Sequence, residues 1–505
     1  MSKFITQEEF NKIKLNKIKD KKIVLCHGVF DLLHIGHIIH FQEAKKLGDI
    51  LVVSITSEEF VRKGPNRPMF NNELRIKFLT SIECIDYVLL SKGYTAEDVI
   101  KCVKPNFYVK GKDYEKNDED VTGKIYEEIE LVEKFGGVIK YTGGDVFSST
   151  KLINNNFNSL STELKEYVKS FKSKFSIDDV TRCIDKMKSL KVLVVGDIIV
   201  DEYIFCAVQG LMSKDIGYST RYLKGEKYLG GSFAIASHIS EFSENTTLFS
   251  ILGDDDIKNL VIKNAKFNLD IKYDKDYETI FKTRYILENE NREELKKLFA
   301  ITNLKEYNII KSHIMDNLKA KLKSIIKKFD LVVLCDFGHG LIDKEVIGIV
   351  EENSKILSIN CQTNSSNYGR NLITKYKKAN SFVLDEKELK LAIPSYEKDE
   401  INSLKKLSKL LNSNGFLTRG AKGAFLIKND KIYNCPAFIL KVKDTIGAGD
   451  AFFALTSLCA GVGVEEEIGL FLGSISAALA TNIYGNKNYI EKVNILKYMS
   501  TLLNI

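Results

Sequence analysis

Two short apolar segments, each followed by glycine, constrain the fold of this chain more than any other feature. They are residues 22–27 followed by Gly28, and residues 191–195 followed by Gly196. A continuous apolar strand is typical of a parallel sheet that is covered by helices on both faces. Each segment opens its own alternation of strands and helices. The sequence therefore predicts an α/β protein with two doubly wound domains.

The pattern along each series predicts where the elements lie. In the first series we expect strands at 50–55, 87–90, 107–109 and 138–141, and helices at about 36–47, 71–82, 95–103 and 121–135. In the second series we expect strands at 247–251, 331–335, 356–360, 381–384, 415–418 and 424–428. The Lys/Glu-rich stretch between them has helical character. We therefore divide the chain into a first domain (1–155), a helical connector (156–189) and a second domain (190–505).

Composition narrows the class of protein and its surroundings. The 505 residues carry 74 Lys and Arg against 67 Asp and Glu, and this +7 charge is too weak to indicate nucleic-acid binding. Nine scattered cysteines without a CxxC pair fit a reducing compartment. The first residues lack the apolar core of a signal peptide, so we expect a cytoplasmic protein. The longest uncharged run, 468–486, contains Ser, Thr and Asn, which favours a buried helix over a membrane span.

The first motif follows the first predicted strand and reads Gly28-Val-Phe-Asp-Leu-Leu-His34-Ile-Gly36-His37. It opens a predicted helix, whose first N–H groups favour an anion. Gly36 leaves room for a phosphate to approach. His34 and His37 share one helical face, where both imidazoles could donate hydrogen bonds to a nucleotide triphosphate. Four of the seven histidines lie in residues 27–40, so a metal cluster is the alternative, although no Cys or carboxylate set completes it.

This motif resembles the HxGH turn of the cytidylyltransferase-like nucleotidyltransferases, over about residues 20–155. The resemblance implies a Rossmann-like domain that transfers a nucleoside monophosphate to a phosphorylated small molecule and releases pyrophosphate, with His34 and His37 as catalytic residues. The residues that it implies for nucleotide binding are Gly28, Phe30, Gly36, Lys45, Lys46, Arg75, Lys110, Ser148, Ser149 and Thr150. Spacing does not decide between the two adjacent lysines. The hydroxyl residues at 148–150 would also bind phosphate simply as a helix start.

The second motif, Asp444-Thr-Ile-Gly447-Ala-Gly449-Asp450, is the most specific in the chain. Its two glycines let backbone N–H groups converge on an anion at the start of a helix. Asp450 lies beside these groups, where it could take a proton from a hydroxyl while they hold the developing phosphoryl charge. The alternative is an ordinary glycine turn with a capping Asp.

The second half resembles the PfkB (ribokinase-like) carbohydrate kinases over about residues 190–505. The resemblance implies Asp450 as general base and an anion hole of Gly447, Ala448 and Gly449. It implies that residues 203–228 and 272–286 form a small β lid over the sugar. The remaining residues that it implies are Asp197, Asp201, Gly230 and Gly231 for the sugar, Thr418, Gly420 and Gly423 for ATP, and Asp385 and Glu388 for indirect binding of Mg²⁺.

This half departs from the family pattern at several positions. Ala234 stands where the family has Asn, which removes one sugar contact, and Asp385 replaces Asn in the N-x-x-E element. Residues 360–364 (Asn-Cys-Gln-Thr-Asn) replace an Asp-Pro-Lys type of segment. His339 stands where heptose kinases tend to carry Lys. It is either a phosphate contact or an ordinary loop residue.

The fusion of both domains resembles the bifunctional sugar kinase/nucleotidylyltransferases that make ADP-heptose, in reversed domain order. The resemblance implies phosphorylation of a heptose phosphate-like sugar with ATP, then transfer of AMP to a sugar 1-phosphate, with Mg²⁺. Two alternatives stay open: the same reactions on another sugar or polyol with CTP, and a sugar-binding regulator or scaffold with degenerate sites. The expected partners are small molecules, without nucleic acid or membrane, and a homodimer is compatible with the sequence.

Overall fold

The computed structural model describes residues 3–61, 67–111, 124–142, 161–214, 216–287, 296–303, 310–364, 367–393, 399–438 and 442–503. It divides into two compact units. The first comprises Met1–Lys172 with Leu496–Ile505, and the second comprises Ser173–Ile495.

The first unit is built on a five-stranded parallel sheet in the order β3-β2-β1-β4-β5. Its strands are β1 (Ile23–Gly28), β2 (Ile50–Thr56), β3 (Tyr87–Ser91), β4 (Phe107–Gly111) and β5 (Val138–Thr142). All four strands that were predicted after β1 are present. The chain moves outward on one side of β1 and then returns to its other side at β4. In open α/β sheets, ligands bind at the carboxyl ends of the strands where the order reverses, here β1 and β4.

Helices cover both faces of this sheet. They are α1 (Gln7–Asn16), α2 (Ile35–Lys45), α3 (Asn72–Thr80), α4 (Glu97–Val103) and α5 (Lys124–Lys134), followed by α6 (Thr162–Lys172). The strands alternate their side chains between two apolar cores, one on each face of the sheet. Strands β1 and β2 are buried along most of their length, which explains why apolar runs, rather than an alternating pattern, predicted them.

The described residues of the second unit form thirteen strands in two sheets. They are β6 (Lys191–Gly196), β7 (Ile198–Leu211), β8 (Tyr218–Gly231), β9 (Asn245–Gly253), β10 (Asn268–Asp274), β11 (Ile280–Leu287), β12 (Lys296–Asn303), β13 (Leu331–Asp336), β14 (Leu357–Cys361), β15 (Ser381–Asp385), β16 (Asn414–Thr418), β17 (Ala424–Lys428) and β18 (Lys431–Cys435). The main sheet has nine strands in the order β10-β9-β6-β13-β14-β15-β16-β17-β18 and is parallel except at β16–β17 and β17–β18.

The helices of the second unit pack on this nine-stranded sheet. They are α7 (Ile177–Met187), α8 (Ser232–Ser240), α9 (Ile257–Asn264), α10 (Ser312–Ile325), α11 (Lys344–Asn353), α12 (Glu386–Ala392), α13 (Glu400–Leu411), α14 (Ala448–Val462) and α15 (Glu466–Ala480). The last helix, α16 (Lys492–Leu503), begins in the second unit, and its residues from Leu496 onward belong to the first. The long uncharged run forms the buried helix α15, as predicted. No helix among the described residues is both long and apolar enough to span a membrane.

A separate four-stranded sheet, in the order β12-β11-β7-β8, forms the lid. The predicted lid was partly wrong. The hairpin β7–β8 and strand β11 belong to it, but residues 272–274 are the end of β10 and pair with β9 in the main sheet. The fourth lid strand, β12, was not predicted. Most of its side chains are exposed, so an apolar pattern does not reveal it.

Candidate active sites

The HxGH turn joins the carboxyl end of β1 to the start of α2. His34 is the residue that precedes the helix, and its ring centroid lies 4.0 Å from that of His37. The backbone N–H of His34 donates to Nδ1 of His37 at 3.3 Å. Gly36 lies between the two histidines in the first turn, where N–H groups have no acceptor within the helix. Both imidazoles are thus side by side at the strand end where a ligand is expected.

Phe30 supports this turn by packing against its second histidine. Its backbone has a φ of +47°, which is uncommon for a residue with a side chain. Its buried ring packs against His37 and Phe41, with centroid distances of 5.5 and 5.0 Å. A Cβ on Gly28 would lie 3.0 Å from this ring. Phe30 therefore fixes the orientation of His37, and Gly28 makes room for Phe30.

Arg75 and Lys45 are both engaged by other groups of the protein. Arg75 is fully buried, and its guanidinium donates to the backbone oxygens of Val29 and Thr56 at 2.8 and 2.9 Å. A contact of Arg75 with a nucleotide stays a prediction. Lys45 Nζ contacts Asp86 Oδ2 at 2.5 Å, beside the amino end of β2.

Lys46 lies at the same edge of the sheet as Lys45. It is the exposed residue that ends α2, and α2 runs away from the HxGH turn. The two lysines thus lie at the edge opposite the strand ends at which open α/β sheets bind ligands, and their contact with a nucleotide stays a prediction.

Lys110 does lie at the expected strand end. It is on β4, next to β1, and its Nζ is 3.0 Å from Oε2 of Glu128. Burial alone would raise the pKa of Glu128, but Lys110 and nearby donors lower it to about 2. Burial and the charge of Lys110 lower the pKa of His40 to about 4. Lys110 therefore supplies a positive charge near the turn.

Two further residues form hydrogen bonds near the turn: His40 and Asp31. Sequence reasoning did not identify Asp31. The Nδ1 atom of His40 is 2.6 Å from Oγ1 of Thr142. Buried Asp31 accepts hydrogen bonds from the N–H groups of Met69 and Phe70 at 2.9 and 3.0 Å. The sequence feature that could have identified Asp31 as a buried residue is its position within an apolar stretch. The predicted phosphate residues Ser148, Ser149 and Thr150 lie outside the described residues.

In the second unit, the Gly447–Asp450 motif forms the start of α14. Gly447 has a φ of +83°, and a Cβ there would lie 2.7 Å from Oδ1 of Asn486. Both the backbone conformation and the lack of space therefore require glycine at this position. The helix begins at Ala448. In the described part of the chain, the N–H groups of Gly449 and Asp450 have no hydrogen-bond acceptor. The turn therefore offers donors to an anion, as the sequence indicated.

Asp450 has the properties of a general base. Burial, followed by the negative charge of Asp201, raises its pKa to about 6. The Nε2 atom of Gln362 donates to its Oδ1 at 3.1 Å, and this bond lowers the pKa. The carboxylate is therefore ionised at neutral pH and yet more basic than an exposed Asp.

Asp450 lines a cavity of about 170 Å³. The glycines of the motif form one wall, and the lid strands β7 and β11 form another. The charged and polar side chains that line the cavity are Asp201, Lys282, Arg284, Gln362, Asp450 and Asn486. The volume and the polar lining suit a small hydroxylated molecule.

Asp201 and the paired glycines come together as the family pattern implies. Asn486 Nδ2 donates to Oδ2 of Asp201 at 3.0 Å, and Arg284 pairs with its Oδ1. A Cβ on Gly230 would lie 2.5 Å from Oδ2 of Asp201. Gly231 has a φ of +62° and itself lines the cavity. The glycines thus let the chain pass close to this carboxylate.

Asp197 does not line the cavity. It is fully buried, and burial together with the charge of Asp336 raises its pKa to about 7. The backbone N–H groups of His339 and Leu341 lie close enough to oppose this shift. Both carboxylate oxygens are buried without a hydrogen-bond partner among the described residues, and a contact of Asp197 with sugar stays a prediction.

The predicted ATP residues follow β16 at the carboxyl edge of the main sheet. Gly420 and Gly423 have φ values of +55° and +88°. A Cβ on Gly423 would lie 2.0 Å from the backbone oxygen of Cys435, so this turn also requires glycine. Thr418 Oγ1 donates to the backbone oxygen of Leu384 at 3.4 Å. None of the three lines the 170 Å³ cavity.

Asp385 and Glu388 form a capping box at the start of α12. Glu388 accepts the N–H groups of Asp385 and Thr363 on its two oxygens, at 2.9 and 3.0 Å. Burial and the charge of Asp385 raise the pKa of Glu388 to about 8. In the described ranges no three His, Cys, Asp or Glu side chains are grouped to hold a metal ion. These oxygens therefore fit Mg²⁺ only through water and nucleotide phosphates, which is the mode that Mg²⁺ prefers.

Sequence reasoning missed three residues of this site. Gln362 lies in the segment that departs from the family pattern, and Asn486 follows Gly485 in the loop after α15. Asp444 is buried and accepts from Tyr203 Oη at 3.0 Å and from Lys297 Nζ at 2.9 Å. In the sequence these three residues are polar positions inside or just after apolar segments. Such a pattern does not show which side chains they contact in the fold.

Two family models match the chain. The model described as pfkB family carbohydrate kinase matches residues 190–488, which is more than half of the chain. The model described as cytidylyltransferase-like matches residues 25–155.

Curated relatives match the first unit. The bifunctional protein HldE of Geobacter metallireducens is 40% identical over 144 residues, 28% of each chain. The HldE of Syntrophotalea carbinolica is 37% identical over 130 residues, 25% of each chain. The chain thus matches about a quarter of the length of these relatives.

Solved structures share the fold of the second unit. A putative ribokinase from Agrobacterium tumefaciens has a TM-score of 0.50 at 16% identity and covers 63% of this chain and 99% of its own. Phosphofructokinase-2 from Escherichia coli has a TM-score of 0.50 at 11% identity and covers 62% and 99%. The ribokinase-like α/β fold that the sequence predicted is therefore confirmed.

Proposed function

Because this chain belongs to the pfkB family of carbohydrate kinases, we propose that it is a bifunctional enzyme that phosphorylates a sugar and then transfers a nucleotide to it. The observation that carries the proposal is the placement of Asp450, which lies beside free N–H donors in a cavity that Asp201 also lines. The favoured substrate is a heptose phosphate-like sugar, and the favoured product is an activated sugar such as ADP-heptose.

The kinase step uses Asp450 as base. The acceptor hydroxyl gives its proton to the Asp450 carboxylate, its oxygen forms the new bond to the γ-phosphorus of ATP, and the bond from that phosphorus to ADP breaks. The donors of Gly449 and Asp450 stabilise the charge on the transferred group. Asp201 orients the sugar by accepting hydrogen bonds from its hydroxyls. Thr418, Gly420 and Gly423 line the nucleotide side.

Asp385 and Glu388 would hold Mg²⁺ through water. When bound, the ion neutralises charge on the phosphates of the nucleotide.

In the second reaction, a sugar 1-phosphate oxygen attacks the α-phosphorus of a nucleoside triphosphate, and the bond to pyrophosphate breaks. The first unit needs no nucleophile of its own for this displacement. His34 and His37 donate hydrogen bonds to phosphate oxygens, and Lys110 adds positive charge. Burial lowers the pKa of His34, so its imidazole acts as a neutral donor.

CTP with another sugar or polyol is a second candidate, since the matching family model is described as cytidylyltransferase-like. The test is a screen of ATP, CTP, GTP and UTP against sugar 1-phosphates that follows pyrophosphate release, alongside ADP formation with free sugars and sugar phosphates. Release with ATP and a heptose 1-phosphate supports the favoured reaction, and release only with CTP supports the second. If no combination of nucleotide and sugar is turned over, the result would favour the alternative that the protein is a sugar-binding regulator. A cytoplasmic location and small-molecule partners belong to the same proposal.

A further inference from the structure

Lys297 lies on the outermost lid strand, β12, and a bulge in that strand determines the direction of its side chain. On the neighbouring strand β11, Tyr285 lies opposite Phe299. The next residue, Ile286, lies opposite Lys297 instead of Leu298, so Leu298 is an extra residue in β12. An extra residue reverses the face to which the side chains beyond it point. Lys297 therefore shares a face of the lid with Ile286, which is fully buried.

Lys297 contacts the buried carboxylate of Asp444, the first residue of the motif whose glycines form the anion-binding turn. The Nζ atom of Lys297 lies 2.9 Å from Oδ1 of Asp444, whose side chain is only 1% exposed. The same oxygen accepts from the backbone N–H of Ile446 at 3.2 Å. Oδ2 accepts from Tyr203 Oη and from the N–H of Gly485, both at 3.0 Å. The carboxylate thus connects the lid strands β7 and β12 to the turn and to the loop after α15.

Lys297 is the one charged donor among these four. The others are a neutral hydroxyl and two backbone N–H groups. In the described part of the chain, no second cation pairs with Asp444. A buried carboxylate is unfavourable unless a positive charge and hydrogen bonds compensate it. The arrangement around Asp444 therefore depends on Lys297.

The two segments that Asp444 joins to the lid both line the cavity. Ile446 lines it and directly precedes the glycines that offer N–H donors. Asn486 lines it from the loop after α15, and its Oδ1 lies 2.7 Å from the position of a Cβ on Gly447, so the loop and the turn are in close contact. Asp444 and Lys297 do not line the cavity themselves. Any influence of theirs on the reaction must pass through the turn and the loop.

We propose that Lys297 is a positioning residue of the kinase: through Asp444 it fixes the anion-binding turn, so that the outermost lid strand contributes to phosphoryl transfer. This inference rests on the proposed function of the cavity. Without Lys297, the carboxylate keeps only neutral donors and rearranges, which displaces the N–H groups of Gly449 and Asp450. A displacement of about 1 Å can lower a rate by about 10²-fold.

Kinetics separate this role from sugar binding. With ATP and heptose 7-phosphate, Lys297→Met should lower the kcat of phosphorylation by about 10-fold or more, because the turn acts on the transferred group. The KM of the sugar should stay within about threefold, since Lys297 does not line the cavity. Nucleotidyl transfer by the same protein should be unchanged. Lys297→Arg, which keeps the charge, should restore most of the kcat, and Lys296→Met, which removes the exposed neighbouring lysine, is the matched control.

A double-mutant cycle tests whether Lys297 acts through Asp444. Asp444→Asn keeps the shape and removes the charge, so it should also lower kcat. In that background Lys297→Met should change kcat by less than about threefold, because the ion pair is already lost. Additive losses of kcat would overturn the inference. A higher KM with unchanged kcat for Lys297→Met would do so too, as would an equal loss of kcat for Lys296→Met.

Hydrogen exchange tests the inference without turnover and without the Asp444 variant. The N–H groups of Ile446 and Gly485 donate to Asp444. In Lys297→Met, peptides that contain these groups should exchange about fivefold or more faster, and Lys297→Arg should reverse the change. A peptide that spans β16 and β17 should not change. Unchanged exchange at both groups would overturn the inference even in an active kinase. Faster exchange in a protein whose wild type phosphorylates no sugar would support the link from Lys297 to the turn and contradict the proposed reaction alone.

Discussion

The side-chain amide of Gln362 donates a hydrogen bond from Nε2 to Oδ1 of Asp450 across 3.1 Å. Gln362 follows β14, and Asp450 is in the first turn of α14, 88 residues further along the chain. The bond holds the carboxylate toward the cavity and partly offsets the increase in its pKa that burial causes. It thereby gives a function to the segment that departs most from the family pattern.

Removal of this bond should shift the pH dependence of the kinase. The pKa of Asp450 is about 6, so wild-type kcat/KM should fall below that pH as the base takes up a proton. Gln362→Leu removes a donor to the carboxylate, which raises the pKa, so the fall should begin at higher pH and activity should recover in alkaline buffer. The measurement is kcat/KM from pH 5 to 9. An unshifted profile would contradict the assignment.

Asp450→Asn should nearly abolish phosphorylation and leave nucleotidyl transfer intact. Asn keeps the shape but cannot accept the proton, and general-base catalysis contributes about 10²–10⁴-fold. Each half-reaction is assayed separately, and His37→Ala serves as the opposite control. A mutant kinase within about threefold of wild type would remove Asp450 from the role of base.

His34→Ala and His37→Ala should each lower nucleotidyl transfer by roughly 10²-fold or more, as for the loss of one charge-stabilising donor. His40→Ala should have a smaller effect, because His40 lies deeper in α2 and contacts Thr142. Thr142→Val should have a similarly small effect on nucleotidyl transfer, because it removes the hydroxyl that His40 contacts. Pyrophosphate release is measured for all four. Equal losses for the three histidines, with a lower melting temperature in chelator, would favour a metal cluster instead.

Tyr203→Phe should lower the free energy of unfolding by about 1 kcal/mol, since it removes the hydroxyl that donates to buried Asp444. The effect should be modest because Lys297 and the N–H of Gly485 still satisfy the carboxylate. Urea unfolding measures it. Tyr228→Phe, which removes a hydroxyl bonded to Glu226 of the same sheet, is the comparison variant. Equal stability of Tyr203→Phe and wild type would mean that the Asp444 contact contributes nothing.

Truncated fragments of the chain test whether helix α7 of the predicted connector contributes to the stability of the kinase. The apolar face of α7, including Val180 and Ile184, is buried, and Cys183 contacts Cys459 of α14. A fragment of residues 185–505 lacks that face, so it should be less stable than 173–505 by about 3 kcal/mol or more. Thermal melting and ADP formation measure both fragments. Equal melting temperatures would show that α7 is dispensable.

The sequence predicted those groups of active-site residues that lie together in a single short segment of the chain. His34 and His37 share a turn, and Gly447, Gly449 and Asp450 share another, so spacing along the chain was enough to place them. Lys45 could not be placed this way, because its distance from a ligand depends on which end of the sheet it occupies. The partners of Arg75 could not be predicted for a similar reason, since its hydrogen-bond acceptors, the backbone oxygens of Val29 and Thr56, come from other segments of the chain.

The sequence by itself determined the two α/β series, their strands and the two helix starts that offer donors to phosphate. These features follow from local periodicity and from glycine, whose backbone conformations are a property of a few consecutive residues. Only the tertiary structure decided that β12 joins the lid, that Gln362 and Asn486 reach the carboxylates of Asp450 and Asp201, and that Lys282 lines the same cavity. The order of strands in a sheet brings distant segments together, and no spacing along the chain encodes which buried charge finds its counterpart.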